Sequence, residues 1–477
     1  MIFLILLALL IPVMIGFNSI SVIWRDRPSI RMLLVMKSCL AVGLGFGISS
    51  CISFVSLVVF GELAPGSIIE TALLIVLMIT LVYTFKGRND SPDLASYGYN
   101  VPVAPSKTPW SLAIGFWTAL VLALVTALFL ALKSPHGIGW DAWTIWNLRA
   151  RFLFRGGAHW TDAAAIFWVK PDYPLLIPAT IAQAWTYLGN DTVIIPVLVA
   201  MLFTFATVGL TVSSLSIFRS KSQGYLGGLI LLGTPFFIKH GMSQYADVPL
   251  GFFFLATMVL FTLHERARKA TPGLLTLTGM AAGFSAWIKN EGLLFLVAAI
   301  ASHGAVIIAL KGWKTYLRQM LSFALGLLPV LIIIAYFKIT LAPSNDLLSG
   351  QDFQGTLGRL TDLSRYWVVF KAFVRGSFYF GEWYHLIGIP PILGVYLLGV
   401  GVKTNAEDRL PTLYALLVLS LTLTGYFLVY VATPHDLLWH LRYSLDRLLL
   451  QLWPSFIFTY LLIVGRPDPV SLPTEHA

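Results

Sequence analysis

The chain alternates long apolar runs with short polar interruptions along nearly its whole length. The runs are about 17 to 25 residues long, the length that a helix needs to cross the roughly 30 Å hydrocarbon layer of a bilayer. Because lipid offers no hydrogen-bond partner to an open strand, the spans are predicted to be helices. The predicted fold class is an all-α polytopic membrane protein with about 13 transmembrane helices, at 1–23, 33–60, 67–86, 111–132, 191–217, 223–239, 247–263, 273–289, 291–310, 319–340, 386–402, 411–431 and 448–465.

Composition agrees with this pattern. Hydrophobic residues make up 57% of the 477 residues and charged residues only 11%, whereas a soluble domain carries about 25% charged residues. The net charge of +10 comes mainly from Lys and Arg in short loops, where the positive-inside rule places them, so nucleic-acid binding is not indicated. The basic loops alternate with less charged ones and are predicted to share the cytoplasmic face, with the N-terminus outside and the C-terminus inside.

One apolar segment, DYPLLIPATIAQAWTYLG at 172–189, does not fit this scheme. It is short and contains two prolines. As a full span it would place Arg219 and Lys221 on the opposite face from the basic residues at 266–269. We interpret it as a juxtamembrane or half-inserted helix.

A Pro-, Ser- and Asn-rich linker at 87–110 divides the chain. Residues 1–105 are predicted to be an appended module of three transmembrane helices, whose first span is retained because it lacks the basic start of a signal peptide. Residues 106–477 form the main transmembrane core. It has a first outer loop at 133–190 that contains interfacial helices and a second large outer loop at 341–385. Nearly all the unusual polar residues fall on this outer side.

The first polar cluster of that side is GWDAWTIWNLRARFLFRGG at 139–157. Three- and four-residue spacing predicts an amphipathic interfacial helix with one face formed by Trp140, Trp143, Asn147, Ala150 and Phe154. We expect its three arginines to lie near lipid phosphates; they are Arg149, Arg151 and Arg155. Asp141 begins this helix, and from this stretch alone a plain helix-start carboxylate, favoured by the macrodipole, is the simpler interpretation.

Two further clusters lie where spans begin or end. SQYADVPLGFFF places Asp247 shortly before Pro249, which is also an ordinary helix start. AWIKNEGLLF places Lys289, Asn290 and Glu291 between two apolar runs. Ionisable residues at such depth are commonly paired or functional. The alternative is that Lys289 snorkels to the surface and Glu291 caps the next span.

The fourth cluster, TPHDLLWHLRYSLDRLLL, precedes the last span. His435 and His440 are five residues apart and do not share a helix face, which argues against a zinc site. Arg442 and Arg447 suit phosphate, because guanidinium offers a planar fork of donors. No GxxxxGK[ST], HExxH, GxSxG or CxxC motif is found, so ATPase, hydrolase and redox functions are not indicated.

Four of these segments together resemble GT-C glycosyltransferases, in particular the branch of protein mannosyltransferases and lipid A aminoarabinose transferases. They are an acidic residue in a long first outer loop, KPDYPLLIP, QYADVPLG opening a span, and KNEG between spans. The resemblance covers about 108–465. The family commonly has an Asp-Glu pair in the first loop, whereas here Asp141 is followed by Ala142.

The resemblance implies a transferase that moves a sugar from a polyprenyl-phosphate donor to an acceptor at the outer face of the plasma membrane. The short outer loops favour a lipid or glycan acceptor over a protein. Asp141 matches the putative general base, and Asp247 matches a second acid that shapes the site. Implied contacts to the donor phosphate are Lys289, Arg442 and Arg447. The remaining predicted substrate contacts are Glu291, Asn290, Trp140, Tyr245 and His440. No cofactor is predicted, and a divalent metal, Mg or Mn, is left open.

Two other functions remain as alternatives. A lipid-linked saccharide transporter should carry charges near the bilayer midplane and show an internal repeat, and neither is visible in the sequence. An O-antigen polymerase or ligase would use a large later outer loop rich in Arg and His. The 341–385 loop contains Arg359, Arg365, Arg375 and His385, so this alternative stays open.

Overall fold

The computed structural model describes residues 1–25, 31–86, 108–166, 170–267, 271–345, 353–382, 388–403 and 406–465. Nearly all of the predicted linker at 87–110 lies outside these residues, as do parts of the 341–385 loop, including His385. The described chain is helical, apart from one isolated antiparallel bridge between Val402 and Val464. The all-α prediction is therefore confirmed for this part of the chain.

Eighteen α-helices follow one another in the described residues. They are α1 Ile2–Ile23, α2 Arg31–Phe60, α3 Ala64–Lys86, α4 Trp110–Lys133, α5 Leu148–Arg155, α6 Leu176–Leu188, α7 Ile194–Phe218, α8 Lys221–Leu232, α9 Pro235–Met242, α10 Asp247–Arg266, α11 Pro272–Ile288, α12 Asn290–Lys311, α13 Trp313–Thr340, α14 Phe353–Thr361, α15 Leu363–Tyr379, α16 Ile389–Val400, α17 Arg409–Ala432 and α18 Leu437–Ile463. A π-helical turn at Ala142–Asn147 leads into α5, and a 3-10 segment at Gly157–Ala165 follows it.

Nine of the described helices are long and apolar enough to cross a membrane, so the protein is a polytopic membrane protein, while the count of 13 is not confirmed. The predicted span at 223–239 is broken into α8 and α9 at Gly233, because Pro235 begins a new helix. Helix α11 has 17 residues and α16 has 12. Helix α6, with 13 residues, is about 20 Å long and too short to span by itself.

Helix α10 is the most buried of the nine long apolar helices, with 94% of its most apolar 18-residue stretch buried. The N-terminal helices pack directly against this core, because Gly43 and Gly47 of α2 face the rings of Phe252 and Phe284. Helices α1 and α2 approach closely where Gly16 lies against the carbonyl of Ala41. Such small-residue contacts are a common way to join helices in lipid, where no hydrophobic force drives association.

Charged residues gather at the two ends of the bundle. At one end, buried Asp408 pairs with Arg219 and Arg266, and Lys311 pairs with Glu265. This end joins the basic loops after α7, α10 and α12. At the other end α10 begins, α11 ends and α12 begins, and that end carries the candidate site.

Candidate functional site

Three helix ends and one helix face form the site. Asp247 is the first residue of α10, and Lys289 is the single residue between α11 and α12, with an extended backbone. Glu291 lies in the first turn of α12. Arg447 lies ten residues into α18, about 15 Å along that helix. The chain reverses at Lys289, which brings the cation to the start of the neighbouring α10.

Five charged side chains from these elements and the first loop alternate in sign. Arg447 Nη1 lies 2.6 Å from Asp141 Oδ2, and Arg447 Nε lies 2.9 Å from Asp247 Oδ2. Lys289 Nζ lies 3.1 Å from Asp247 Oδ1 and 2.7 Å from Glu291 Oε1. We call these five residues, Asp141, Arg447, Asp247, Lys289 and Glu291, the Asp141 cluster. Three carboxylates share two cations, so one carboxylate is in excess.

Asp247 and Lys289 are the buried members of the cluster, whereas Asp141, Arg447 and Glu291 are partly exposed. The Asp247 side chain is 0% exposed and that of Lys289 is 4% exposed, whereas Asp141 is 24% and Glu291 is 20% exposed. Gln451 Nε2 donates to Asp247 Oδ1 at 2.7 Å. Both Asp247 oxygens therefore accept from protein donors, as a buried carboxylate requires.

A glycine-rich turn precedes Asp141 and sets the course of the backbone that carries it. Gly137 and Gly139 have φ of +93° and +94°, which only glycine adopts without strain. A Cβ on Gly139 would meet the hydroxyl of Tyr245 at 2.6 Å. The Tyr245 ring lies 4.8 Å from the Arg447 guanidinium, and burial and the Asp141 carboxylate raise the pKa of Tyr245.

Both acids lie at helix starts, as the simpler interpretation predicts: Asp141 directly precedes the π-helical turn and Asp247 begins α10. Their carboxylates also pair with Arg447, which a plain helix-start role does not require. Lys289 does not snorkel, because it is buried. Glu291 pairs with Lys289.

The interfacial helix differs from its prediction. Trp140 and Trp143 are exposed, whereas Asn147 and Ala150 are buried, so the predicted common face does not exist. The π-helical turn at Ala142–Asn147 has more residues per turn than an α-helix, which shifts the register between the two pairs. The third tryptophan, Trp146, is fully buried.

The three arginines of this stretch are not a common phosphate-facing set. Arg149 is buried and donates to the carbonyl of Lys170 at 3.3 Å. Arg151 and Arg155 both pair with Asp191, at 3.0 and 2.6 Å. Two of the three therefore join the first loop to the segment before α7.

Two predicted site residues lie apart from the cluster. Arg442 is exposed, and its guanidinium lies over the Tyr443 ring; five positions before Arg447, it projects from a different face of α18. His440 Nδ1 lies 3.0 Å from Thr433 Oγ1. No contact in the described chain joins Arg442 to the cluster. Its predicted role at the donor phosphate therefore has no structural support.

Asn290 belongs to a second polar cluster that the sequence did not indicate. Its Nδ2 donates to Asp172 Oδ2 at 2.7 Å, and Asn345 Nδ2 donates to the same oxygen at 2.8 Å. Lys338 Nζ donates to the Asp172 carbonyl at 2.5 Å and to Asn290 Oδ1 at 2.6 Å. The KPDYP segment is part of the family resemblance, but that resemblance gives Asp172 no role. We call Asp172, Asn290, Lys338 and Asn345 the Asp172 cluster.

The site is recessed relative to α2. Trp287, at the end of α11, donates its indole N–H to Ser50 Oγ at 3.2 Å. Ser50 lies ten residues before the end of α2, so α2 continues about 15 Å beyond this level. Helix α2 therefore extends beyond the level of Trp287, two residues before Lys289.

The described residues do not form a Mg or Mn site made of protein ligands alone. No group of three or more His, Cys, Asp and Glu side chains that could hold a metal occurs in the described parts of the chain. The Arg447 guanidinium lies between Asp141 and Asp247, so the two carboxylates cannot converge on one ion without displacing it. Carboxylate oxygens are what these metals require.

Fold, composition and site together define an all-helical polytopic membrane protein with a charged cluster at one end of its bundle. No family model, curated protein or solved structure matches the chain.

Proposed function

We propose that the protein is a glycosyltransferase that moves a sugar, with inversion, from a polyprenyl-phosphate donor to an acceptor hydroxyl. The observation that carries the proposal is the Asp141 cluster. Residues as far apart in the chain as Asp141 and Arg447 meet there, 2.6 Å apart, at one end of the bundle. A partly open carboxylate beside a guanidinium is what deprotonation of a hydroxyl and departure of a phosphate require.

Asp141 acts as the general base in this proposal. It accepts the proton of the acceptor hydroxyl while that oxygen bonds to the anomeric carbon, and the bond from that carbon to the phosphate oxygen breaks. Polyprenyl phosphate leaves with the bonding electrons. Asp141 is supported as the base because its carboxylate is partly exposed and has one ion pair in the described chain, with Arg447, whereas Asp247 is held by three donors. Glu291 is paired with the buried Lys289.

Arg447 faces the developing phosphate charge. Two of its three guanidinium nitrogens bond to Asp141 and Asp247, and the third, Nη2, makes no hydrogen bond to the described residues. That nitrogen remains available to a ligand. Buried Lys289 and Asp247 position the guanidinium rather than touch the substrate.

The position of the site at one end of the bundle supports a reaction at the outer face of the membrane. The opposite end joins the basic loops, which the positive-inside rule assigns to the cytoplasm. Nucleotide sugars are not found outside the membrane, so a donor there must be carried by a lipid. The membrane in this proposal is the plasma membrane, and the acceptor is a lipid or glycan.

The test is release of polyprenyl phosphate by the purified protein from a panel of polyprenyl-phosphate sugars. Asp141→Asn should lower the rate by about 100- to 10,000-fold, the usual contribution of a general base. Asp162→Asn is the matched control, because Asp162 lies in the same loop region, is 62% exposed and has its ion pair with His159. Equal rates for wild type and Asp141→Asn would refute the assignment of the base.

The two alternatives predict other outcomes. A transporter would move a lipid-linked saccharide between leaflets without releasing polyprenyl phosphate. For a polymerase or ligase that uses the later loop, Arg359 and Arg365 would be the natural cations. In the structure they donate to carbonyls of Ala432 and Val431 at the end of α17, a helix-capping arrangement.

A further inference from the structure

One side chain, that of Gln244, bridges the two flanks of the segment that carries Asp141. Its Oε1 accepts from Asn147 Nδ2 at 2.7 Å, and its Nε2 donates to the Pro135 carbonyl at 3.0 Å. Asp141 lies six residues from each of these partners. We call residues 135–147 the Asp141 segment. A single amide therefore joins the two ends of a loop that has the Asp141 carboxylate at its middle.

The bridge is shielded from water. Gln244 is 4% exposed and Asn147 is 3% exposed. Asn147 Nδ2 also donates to the His136 carbonyl, but at 3.4 Å rather than the 2.7 Å of its bond to Gln244. Water cannot replace a partner that is lost at a buried position, so breaking the bridge leaves polar groups unsatisfied. The bridge therefore holds both ends of the Asp141 segment in place.

The backbone of Gln244 indicates that its side chain is needed there. Its φ is +60°, in the left-handed region that is costly for a residue with a Cβ. Glycine adopts this conformation without strain. Strained residues persist where the surrounding contacts hold them, and they are frequent at functional sites. At this position the contacts that offset the strain are the two hydrogen bonds of the Gln244 amide.

The turn that contains Gln244 also leads to Asp247. It is the short connection between α9 and α10, and Asp247 is the first residue of α10. The Asp141 segment lies directly on this turn, because a Cβ on Gly137 would meet the Ser243 carbonyl oxygen at 2.9 Å. One turn thus sets the positions of both carboxylates that Arg447 bridges.

We infer that Gln244 is a positioning residue, which holds the Asp141 segment on the turn before α10 and so keeps the Asp141 carboxylate beside Arg447. Its effect on the reaction rate rests on the proposed function, in which Asp141 is the general base. A base works only within hydrogen-bond reach of the proton that it accepts. Displacement by about 1 Å can lower a rate by about 100-fold.

The first measurement is hydrogen–deuterium exchange of the full chain in detergent. Gln244→Met keeps the length of the side chain and removes both hydrogen bonds. We expect the amides of residues 136–147 to exchange about 10- to 100-fold faster, because two buried hydrogen bonds no longer oppose local opening. The amides of α10 should keep their wild-type rates. Unchanged exchange at 136–147 would overturn the inference, whether or not the protein transfers sugar.

Gln319→Met is the matched control for this measurement. Gln319 is also a buried glutamine with hydrogen bonds to other side chains, those of His303 and Glu265. It lies at the opposite end of the bundle, beside the pair of Glu265 and Lys311. Gln319→Met should therefore leave exchange at 136–147 unchanged. Equal acceleration in both variants would show a general loss of stability and overturn the inference.

The second measurement is the rate of polyprenyl phosphate release per folded molecule. Gln244→Met should lower kcat by about 10- to 100-fold and leave KM within about twofold, because a general base acts in the transition state and not in substrate binding. In an Asp141→Asn background the same change should lower kcat by less than about threefold, because the group that Gln244 positions is already removed. Asn147→Leu breaks the bridge from its other side and should match Gln244→Met.

The outcomes separate the two proposals. Wild type that releases no polyprenyl phosphate would refute the proposed function, and exchange at 136–147 would then decide the role of Gln244 alone. If wild type is active, a wild-type kcat in both Gln244→Met and Asn147→Leu would overturn the inference. An undiminished effect of Gln244→Met in the Asp141→Asn background would overturn it as well, since Gln244 would then act through another group.

Discussion

The loss of stability expected on removing the charge of Asp247 can be worked out from the structure. Its carboxylate is fully buried and accepts from Arg447, Lys289 and Gln451. Asp247→Asn keeps the size of the side chain but removes the charge that two cations share. Breaking a buried pair from one side destabilises a protein by about 3–5 kcal/mol. If the 477 residues unfold as one unit, unfolding entropy is roughly 1 kcal/mol per kelvin, so the melting temperature should fall by about 3–5 °C.

The assay is thermal unfolding in detergent at a fixed scan rate, because unfolding of such proteins is often irreversible. Asp247→Asn, Lys289→Met and the double variant form a cycle. Since either change breaks the same pair, the losses should not add, and the coupling should be about 0.5–3 kcal/mol. Asp162→Asn controls for loss of an exposed carboxylate. A melting temperature within 1 °C of wild type for Asp247→Asn, or additive losses, would contradict the reasoning.

Three further predictions test other parts of the structure. Gly137→Ala combines φ of +93° with a Cβ collision, so it should abolish transfer by displacing Asp141, measured as polyprenyl phosphate release per folded molecule. Burial lowers the pKa of His240 to about 4 from an ordinary 6.5. His240 then gains a proton only in the unfolded state as pH falls from 6.5 to 4, so over that range wild type should lose up to about 3 kcal/mol more stability than His240→Phe. Asp408→Asn, which unpairs Arg219 and Arg266 at the opposite end, should lower the melting temperature but leave the transfer rate per folded molecule unchanged.

The apolar pattern was sufficient to predict the positions of the long helices, but not every break between helices. Runs of 20 or more residues correspond to the long helices, because lipid leaves the backbone no alternative. The break between α8 and α9 follows Gly233 and precedes Pro235. These are ordinary helix-ending and helix-starting residues, so the sequence contains a signal for the break. The apolar residues on both sides favour one continuous span instead.

The contacts of the site were only partly accessible from the sequence. Loop charges predicted that Asp247 and Lys289 share one end of the bundle, and helix ends bring them together. That Arg447 rather than Arg442 points at Asp141 depends on the rotation of α18 against α10, which is set by packing and not by the local sequence. The burial of Arg149 depends likewise on the π-helical turn before α5, which no periodicity announces.

The charge balance of the Asp141 cluster leads to a last prediction. With three carboxylates and two cations, the cluster becomes neutral when it gains one proton, which is the change that a general base undergoes. Protonation of Asp141 leaves Arg447 still paired with Asp247, whereas protonation of Asp247 would leave two cations poorly compensated. Asp141→Asn should therefore melt at or above the wild-type temperature while losing transfer, the reverse of a structural acid. The two measurements on one preparation decide the role: a loss of stability like that of Asp247→Asn would show that Asp141 serves the fold instead.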